Sequence, residues 1–273
     1  MQAGFGLGRL HHLIGSQQRQ EVVLGAIDAG FTHFDLAPAY GDGLLERAFA
    51  KAIGNRREGI TIATKFGIPF RPIGELPTPI YFALRAAGKL LKTSFGAQYD
   101  RRDFTPKAAT ASLEQSLRRL RTDRIDLLLV HEPQNLEQFR TLGDTWSELE
   151  RQQRLGKVRK LGISSLAELL LDAERHNLIP ASAVRMIPMC DATCAQPEEW
   201  FRTREVLVFN IVKHLSKQLG PGRINTHTLI QTFASTLPLA RPIFATHNLA
   251  EIKAMGEALA LIAANPALRG VIR

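Results

Sequence analysis

The sequence predicts an α/β protein folded as a (β/α)₈ barrel, also called a TIM barrel, and three observations lead to that prediction. About eight short apolar runs alternate with longer segments whose apolar residues recur at helical spacing. The runs are apolar on both faces, which is typical of parallel strands covered by helices. The length of 273 residues is close to the roughly 250 residues of such a barrel.

The first half of the chain carries recognisable helix boundaries. Glycine directly follows two predicted helices, over 17–29 and 44–53, which is a common C-terminal signal. A threonine cap followed by proline, Thr105-Pro106, begins a third predicted helix that runs to Leu120. The apolar runs around these helices read GFGLGRL, THFDLA, GITIATKFG and RIDLLLVH.

The second half continues the same alternation. Its predicted strands read KVRKLGIS, AVRMIPM, EVLVFN and RPIFAT. Its predicted helices cover 136–155, 166–176, a short stretch near Glu198, 226–237 and 248–264. An open doubly wound sheet is the structural alternative. It is disfavoured because GFGLG lies too near the N-terminus for a phosphate loop and no helical pattern begins directly on it. We expect residues 1–273 to form a single barrel domain.

One connection is much longer than the others. Residues 68–103 include four prolines and several aromatic residues, and we expect 81–91 to form a short helix within them. Loops of this length inside compact domains are usually functional. In a barrel this connection would leave the C-terminal end of the third strand, so the sequence predicts a lid-like loop on the active-site face.

Charge and composition narrow the function classes. The net charge is +9 and the pI about 9.9, but the basic residues are spread along the chain without interleaved aromatic residues, which indicates attraction for small anions and not nucleic acid binding. No run reaches the ~18 apolar residues of a membrane helix, and the N-terminus lacks an apolar signal core, so we expect a cytoplasmic protein. Cys190 and Cys194 are expected to be reduced thiols, with no metal site.

Three polar residues lie at the ends of consecutive predicted strands. Asp35 ends THFD, Lys65 ends ITIATK and His131 ends IDLLLVH, while Tyr40 follows in the loop after the second strand. In a barrel, catalytic residues come from the C-terminal ends of different strands. Each residue alone also has a structural interpretation, as a cap, a solvated strand end or a satisfied barrel histidine. Their joint occurrence favours a shared site.

The four residue types suit one kind of chemistry. A phenol is a weak acid near neutral pH, and a neighbouring ammonium makes proton donation easier because it favours the phenolate. A lysine in a partly closed site needs a counter-charge, which an aspartate supplies. A histidine beside the phenol can hydrogen-bond a carbonyl oxygen. The set therefore suits the protonation of an oxygen that becomes negative as hydride reaches its carbon.

The chain resembles the aldo-keto reductase family, which are (β/α)₈ barrels that use a nicotinamide cofactor. The matching stretches are FTHFDLAPAYGDGLLERAFAKAI, ITIATKFG, DFTPKAATASLEQSLRRLRTDRIDLLLVHEP and LGKVRKLGISS, within about the first 165 residues. The resemblance implies that Tyr40 is the general acid and that Lys65 tunes its acidity. It also implies that Asp35 is the partner of Lys65 and that His131 orients the substrate.

The C-terminal half departs from the family pattern at positions that would hold the cofactor. Where the family has Ser-Asn after strand five, this chain has Ser164-Ser165, and Met186 stands near an expected glutamine. Phe209 and Asn210 follow strand seven, where the family has an aromatic residue that stacks on the nicotinamide.

The segment after strand eight bears on the choice of nicotinamide cofactor. By the resemblance, Thr246 is expected near the adenosine phosphate. Glu251 stands where an arginine often binds the 2′-phosphate. NADPH is the cofactor that the family implies, and Glu251 makes NADH the alternative.

The sequence therefore supports two hypotheses from different classes. The first is an NAD(P)H-dependent oxidoreductase that interconverts aldehydes or ketones and alcohols, with a small carbonyl or alcohol substrate. The second is a catalytically weak barrel that binds the cofactor as a regulatory or sensor protein. A metal-dependent hydrolase using His131 and Asp35 is disfavoured because such sites gather several ligands. The oligomeric state stays open, a monomer included.

Overall fold

The computed structural model describes residues 3–90, 101–190, 198–219 and 225–264, in which eight parallel strands close into a barrel. Consecutive strands are hydrogen-bonded neighbours, and the eighth returns to pair with the first. The strands are β1 Gly4–Gly6, β2 His33–Asp35, β3 Thr61–Phe66, β4 Ile125–His131, β5 Val158–Ser164, β6 Val184–Pro188, β7 Val206–Phe209 and β8 Arg241–Phe244. The prediction of a (β/α)₈ barrel is confirmed, and the closure excludes the open sheet.

Helices follow the strands and cover the outside of the barrel. They are α1 Ser16–Asp28, α2 Leu44–Ile53, α3 Thr78–Leu90, α4 Pro106–Leu120, α5 Leu136–Arg140, α6 Gly143–Arg154, α7 Ala167–Arg175, α8 Glu198–Thr203, α9 Ile211–Leu219, α10 Thr226–Thr236 and α11 Leu249–Ala264. Short 3₁₀ turns span Gly8–His12 and Ile73–Glu75. Across the described ranges, no helix is both long enough and apolar enough to cross a bilayer.

Helices α2 and α4 have the bounds that their sequence signals predict, whereas the prediction of one helix over 136–155 is wrong. Helix α4 begins after Thr105, whose hydroxyl oxygen accepts a hydrogen bond from the Ala108 amide at 3.2 Å. The predicted helix over 136–155 is two helices, α5 and α6. The break follows α5, where the hydroxyl of Thr141 donates to the carbonyl oxygen of Gln138 at 2.8 Å and so competes with continued helical bonding.

The core lies in two layers, one inside the barrel and one between the strands and helices. Glycine in the first strand is required by the inner layer. A β-carbon added at Gly4 would lie 2.4 Å from Cδ1 of Ile243 and 2.7 Å from Cδ2 of His33, so β1 has no room for a side chain there. The apolar inner layer consists of Ala63, Leu127, Leu129, Val184, Met186, Leu207 and Ile243.

The long third connection is more regular than its prolines indicate. Its described parts are 68–90 and 101–103, and the first contains the turn Ile73–Glu75 and the 13-residue helix α3, which begins earlier than the predicted helix over 81–91. Pro79 lies in the first turn of α3, where proline is tolerated because the first helical amides have no partner within the helix. Tyr81 in this helix is fully buried. Residues 91–100 of the predicted lid lie outside the described residues.

Candidate active site

Three of the predicted site residues point into the barrel at the C-terminal ends of neighbouring strands. Asp35 ends β2, His131 ends β4, and Lys65 is the second-last residue of β3. Side chains two apart on a strand point the same way, so these residues lie one layer above the inward-facing His33, Ala63 and Leu129. All three are more than nine-tenths buried. The barrel therefore brings them to one end of its interior.

Lys65 and Asp35 form a buried ion pair. Nζ of Lys65 lies 2.5 Å from Oδ1 of Asp35 and donates a second hydrogen bond to the carbonyl oxygen of Leu36 at 2.8 Å. Burial raises the pKa of the Asp35 carboxyl, and the neighbouring ammonium opposes that rise. The carboxylate and the carbonyl together fix the position of the ammonium.

The phenol ring of Tyr40 stands beside this pair. Nζ of Lys65 lies 4.9 Å from the centre of the Tyr40 ring. The ring centre of His131 lies 5.8 Å away, with the two ring planes at 82°. On another side, a β-carbon added at Gly8 would lie 3.4 Å from the ring, so the chain after β1 also packs against it. The four predicted catalytic residues thus form one contiguous group.

The loop that carries Tyr40 has an unusual backbone. Gly41, Asp42 and Gly43 all have positive φ, at 66°, 57° and 90°, a conformation that favours glycine. The third connection supports this loop. The amide of Gly74 donates to the carbonyl oxygen of Asp42 at 3.0 Å, and a β-carbon at Gly74 would lie 2.3 Å from the carbonyl oxygen of Gly41. Residues 68–90 therefore pack on the Tyr40 loop from outside.

His131 is held in its neutral form. Burial holds the pKa of its imidazole well below the usual range, and the positive charges of Lys65 and Arg102 act in the same direction. A neutral imidazole has one N–H donor and one acceptor nitrogen. His131 can therefore donate a hydrogen bond to an oxygen near Tyr40 without carrying charge.

A cavity of about 270 Å³ opens at this end of the barrel. Of the predicted site residues, it is lined by Asp35, Tyr40, Lys65, Ser164, Phe209 and Asn210. His131, Ser165 and Thr246 are outside the lining, and so are residues 68–90 of the third connection. Met186, which stands near the position of the expected glutamine, also lines the cavity.

The cavity wall contains polar residues that suit the carboxamide of a nicotinamide ring. Ser164 and Asn210 both line the cavity, and within the described ranges neither side chain makes a hydrogen bond. A hydroxyl and an amide together offer donors and acceptors to a carboxamide. The ring of Phe209 adds an apolar surface beside them.

Two other predicted cofactor residues already make hydrogen bonds within the chain. The hydroxyl of Ser165 donates to the carbonyl oxygen of Pro133 at 2.8 Å. The hydroxyl of Thr246 donates to Oε2 of Glu251 at 2.6 Å and accepts from the amide of Asn248 at 3.1 Å. A phosphate at Thr246 would therefore meet the Glu251 carboxylate.

Two basic residues at the cavity were missed by sequence reasoning. Arg9, in the turn after β1, and Lys213, in the first turn of α9, both line it and are exposed. Positive side chains at a helix N-terminus favour anions such as a pyrophosphate. The position of Lys213 directly after VFNIV was an available signal. Among the described residues no group of three or more His, Cys, Asp or Glu could hold a metal ion.

The chain belongs to the aldo/keto reductase family, whose sequence model matches residues 3–205. It is 29% identical over 208 residues to a D-threo-aldose 1-dehydrogenase of Pseudomonas, covering 68% of this chain and 61% of that protein. It is 32% identical over 195 residues to the Schizosaccharomyces pombe aldo-keto reductase yakc [NADP(+)], covering 67% of this chain and 47% of that protein. The chain therefore matches about half the length of these curated relatives.

Solved structures share the fold. The holo form of the aldo-keto reductase AKR11C1 from Bacillus halodurans superposes with a TM-score of 0.70 at 20% identity, covering 98% of this chain and 90% of that one. The glycerol dehydrogenase AKR11B4 from Gluconobacter oxydans gives a TM-score of 0.67 at 15% identity, covering 96% and 90%. At these identities the solved structures show that the chain shares their fold, and the family membership comes from the sequence match.

Proposed function

We propose that the protein interconverts aldehydes or ketones and alcohols by hydride transfer with NAD(P)H. The observation that carries the proposal is the set of contacts around the Tyr40 ring. The Lys65–Asp35 ion pair lies 4.9 Å from the Tyr40 ring centre on one side, and neutral His131 packs edge-on against that ring on the other. The family relationship supports the same reaction.

In reduction, Tyr40 acts as the general acid. When bound, the nicotinamide would supply a hydride for the carbonyl carbon. The Tyr40 phenol delivers a proton to the carbonyl oxygen as negative charge develops there. The ammonium of Lys65 stabilises the phenolate that remains, and Asp35 keeps that ammonium in place. The N–H of His131 positions the carbonyl oxygen. In oxidation, the phenolate takes the proton back.

The cofactor would lie against the wall formed by Ser164, Phe209 and Asn210. The free hydroxyl and amide there suit the carboxamide, and Arg9 and Lys213 suit the phosphates. NADPH is the cofactor that we propose from the family. The Thr246–Glu251 hydrogen bond favours NADH as the alternative, because a carboxylate repels a 2′-phosphate. Fluorescence titration of the protein with each cofactor decides between them, and binding of neither below millimolar concentration would contradict the proposal.

Replacement of the acid tests the chemistry directly. Tyr40→Phe keeps the ring contacts and removes the hydroxyl, so turnover should fall by at least about a hundredfold while cofactor affinity stays within about twofold. Turnover is followed by cofactor absorbance with a panel of short aldehydes, ketones and aldoses. The name of the Pseudomonas relative is the reason to include aldoses. A variant with the wild-type rate would show that Tyr40 is not the acid.

A further inference from the structure

A second and larger depression lies on the outer surface of the barrel. This groove, of about 690 Å³, is bounded by α1, α2, α4 and the segment from Pro72 to Thr78. It shares no lining residue with the cavity at the barrel mouth. Its volume falls within the range of small-molecule sites. The proposed reaction assigns no role to it.

The lining of the groove is strongly basic. Glu75 supplies the carboxylate in that lining, and it is engaged by Arg119, whose Nη1 lies 3.1 Å from its Oε1. Nε of Arg119 also lies 2.6 Å from the buried carboxylate of Glu46. Six cationic side chains line the groove, five from α1, α2 and α4 and one directly after α4, namely Arg19, Arg47, Lys51, Arg118, Arg119 and Arg121.

Apart from Arg119, these cations have no carboxylate partner in the part of the chain that the structure describes. Within the described ranges, none of the other five forms an ion pair with a carboxylate. Arg19 and Arg47 donate instead to backbone carbonyl oxygens, those of Ile14 and Gly74 among them. Neutral carbonyls do not cancel positive charge, and like charges gathered at one concave surface concentrate counter-ions.

Two of the guanidinium groups are also buried. Arg19 is 2% and Arg119 is 6% exposed. Nε of Arg19 and Nη2 of Arg119 are buried and have no hydrogen-bond partner in the described part of the chain. Charged groups that are desolvated without full pairing destabilise a fold. Because both nitrogens are out of contact with solvent, an anion in the groove would offset that cost through its charge and not through a hydrogen bond to them.

We propose that the groove binds a compact polyanion, a small molecule carrying two or more phosphate groups. Arginine is the side chain that best recognises phosphate, because its planar fork makes paired, charge-assisted hydrogen bonds. Gln20 and Gln115 in the same lining add neutral amide donors. Several uncompensated charges favour a multiply charged ligand over a single phosphate. This inference does not depend on the proposed reaction.

The test uses inorganic tripolyphosphate as the probe and isothermal titration calorimetry of the full chain. The binding variant is the double substitution Arg118→Gln and Arg121→Gln, at exposed positions that leave the Glu46 and Glu75 contacts intact. The matched control is Arg154→Gln with Arg175→Gln. These two are exposed helical arginines outside the groove and the cavity, and they change the net charge equally.

The expected result is saturable binding of tripolyphosphate at one site per chain. Its affinity should fall about tenfold in the groove variant and by less than about twofold in the control. Orthophosphate should bind at least about tenfold more weakly than tripolyphosphate. Equal losses in the two double variants would mean a general charge effect and overturn the proposal. So would the absence of tripolyphosphate binding below several millimolar, or equal affinities for the two phosphates.

Discussion

The ammonium of Lys65 and the carboxylate of Asp35 are 2.5 Å apart and lie almost entirely out of contact with solvent. Removing one partner leaves the other charge buried and unpaired, which typically destabilises by about 3–5 kcal/mol. We therefore expect Lys65→Met to lower the free energy of unfolding by about that amount, measured by urea denaturation. The double variant Lys65→Met with Asp35→Asn should recover a large part of the loss. A double variant no more stable than Lys65→Met would show that the pair is not coupled.

His131 should stay neutral through the ordinary range of assay pH. Its pKa lies well below the usual value because it is buried and faces positive charge. We expect its imidazole NMR signals not to titrate between about pH 5.5 and 8, whereas those of an exposed histidine titrate in that range. Titration of His131 near pH 6.5 would contradict a role as a neutral hydrogen-bond donor.

His33, inside the barrel, should lower the free energy of unfolding at acidic pH. Burial lowers the pKa of His33 from 6.5 to about 4, so between those values the unfolded chain binds a proton that the folded chain does not. Stability therefore falls as the pH drops from 6.5 towards 4, by about 3 kcal/mol in total from this residue. Denaturation curves of wild type and His33→Gln across this range measure the effect. A variant with the same pH slope as wild type would contradict it.

Gly74 should be needed for the Tyr40 loop. A β-carbon there would lie 2.3 Å from the carbonyl oxygen of Gly41 and 2.5 Å from the amide of Leu44, and backbone atoms cannot rotate aside. We expect Gly74→Ala to lower stability by about 1–3 kcal/mol and to reduce kcat through displacement of Tyr40. Gly143→Ala is the control, because nothing lies within 4 Å of the added carbon, and it should be neutral or slightly stabilising. Equal effects of both substitutions would refute the packing argument.

Glu251 should influence which cofactor is preferred. Glu251→Gln removes the negative charge of the carboxylate that accepts a hydrogen bond from the Thr246 hydroxyl at 2.6 Å. If the 2′-phosphate binds beside Thr246, the ratio of NADPH to NADH affinity should rise about tenfold, or about 1.4 kcal/mol. Fluorescence titrations with both cofactors provide the ratio. An unchanged ratio would place the phosphate elsewhere.

Local signals predicted the elements that local chemistry determines. Helix α4 could be bounded from Thr105 and Pro106, and α2 from Gly54, because caps and glycine act within a few residues. The ends of β2, β3 and β4 were also readable, since polar residues closing apolar strands are conspicuous. These strand ends were enough to predict the grouping of Asp35, Lys65 and His131.

Features that depend on distant parts of the chain were not predicted. The 3-residue strand β1 lies within the predicted run GFGLGRL, but the need for glycine in it is clear only beside His33 and Ile243. Ser165 could not be separated from Ser164 as a cavity residue, because the carbonyl of Pro133 that turns it away comes from another connection. The basic groove joins arginines from three helices, and their sequence positions look like ordinary solvated faces.

The contact between Gly74 and the loop of Tyr40 also bears on protein engineering. Barrel enzymes are often redesigned by exchanging the connections at one end, on the assumption that each connection is an independent module. Here the connection after β3 supports the connection after β2. The Gly74 amide donates a hydrogen bond to the carbonyl oxygen of Asp42, and the Arg47 side chain donates one to the carbonyl oxygen of Gly74. A graft that replaces residues 68–90 to alter substrate choice would therefore have to keep a glycine at the position of Gly74, against the backbone of Gly41.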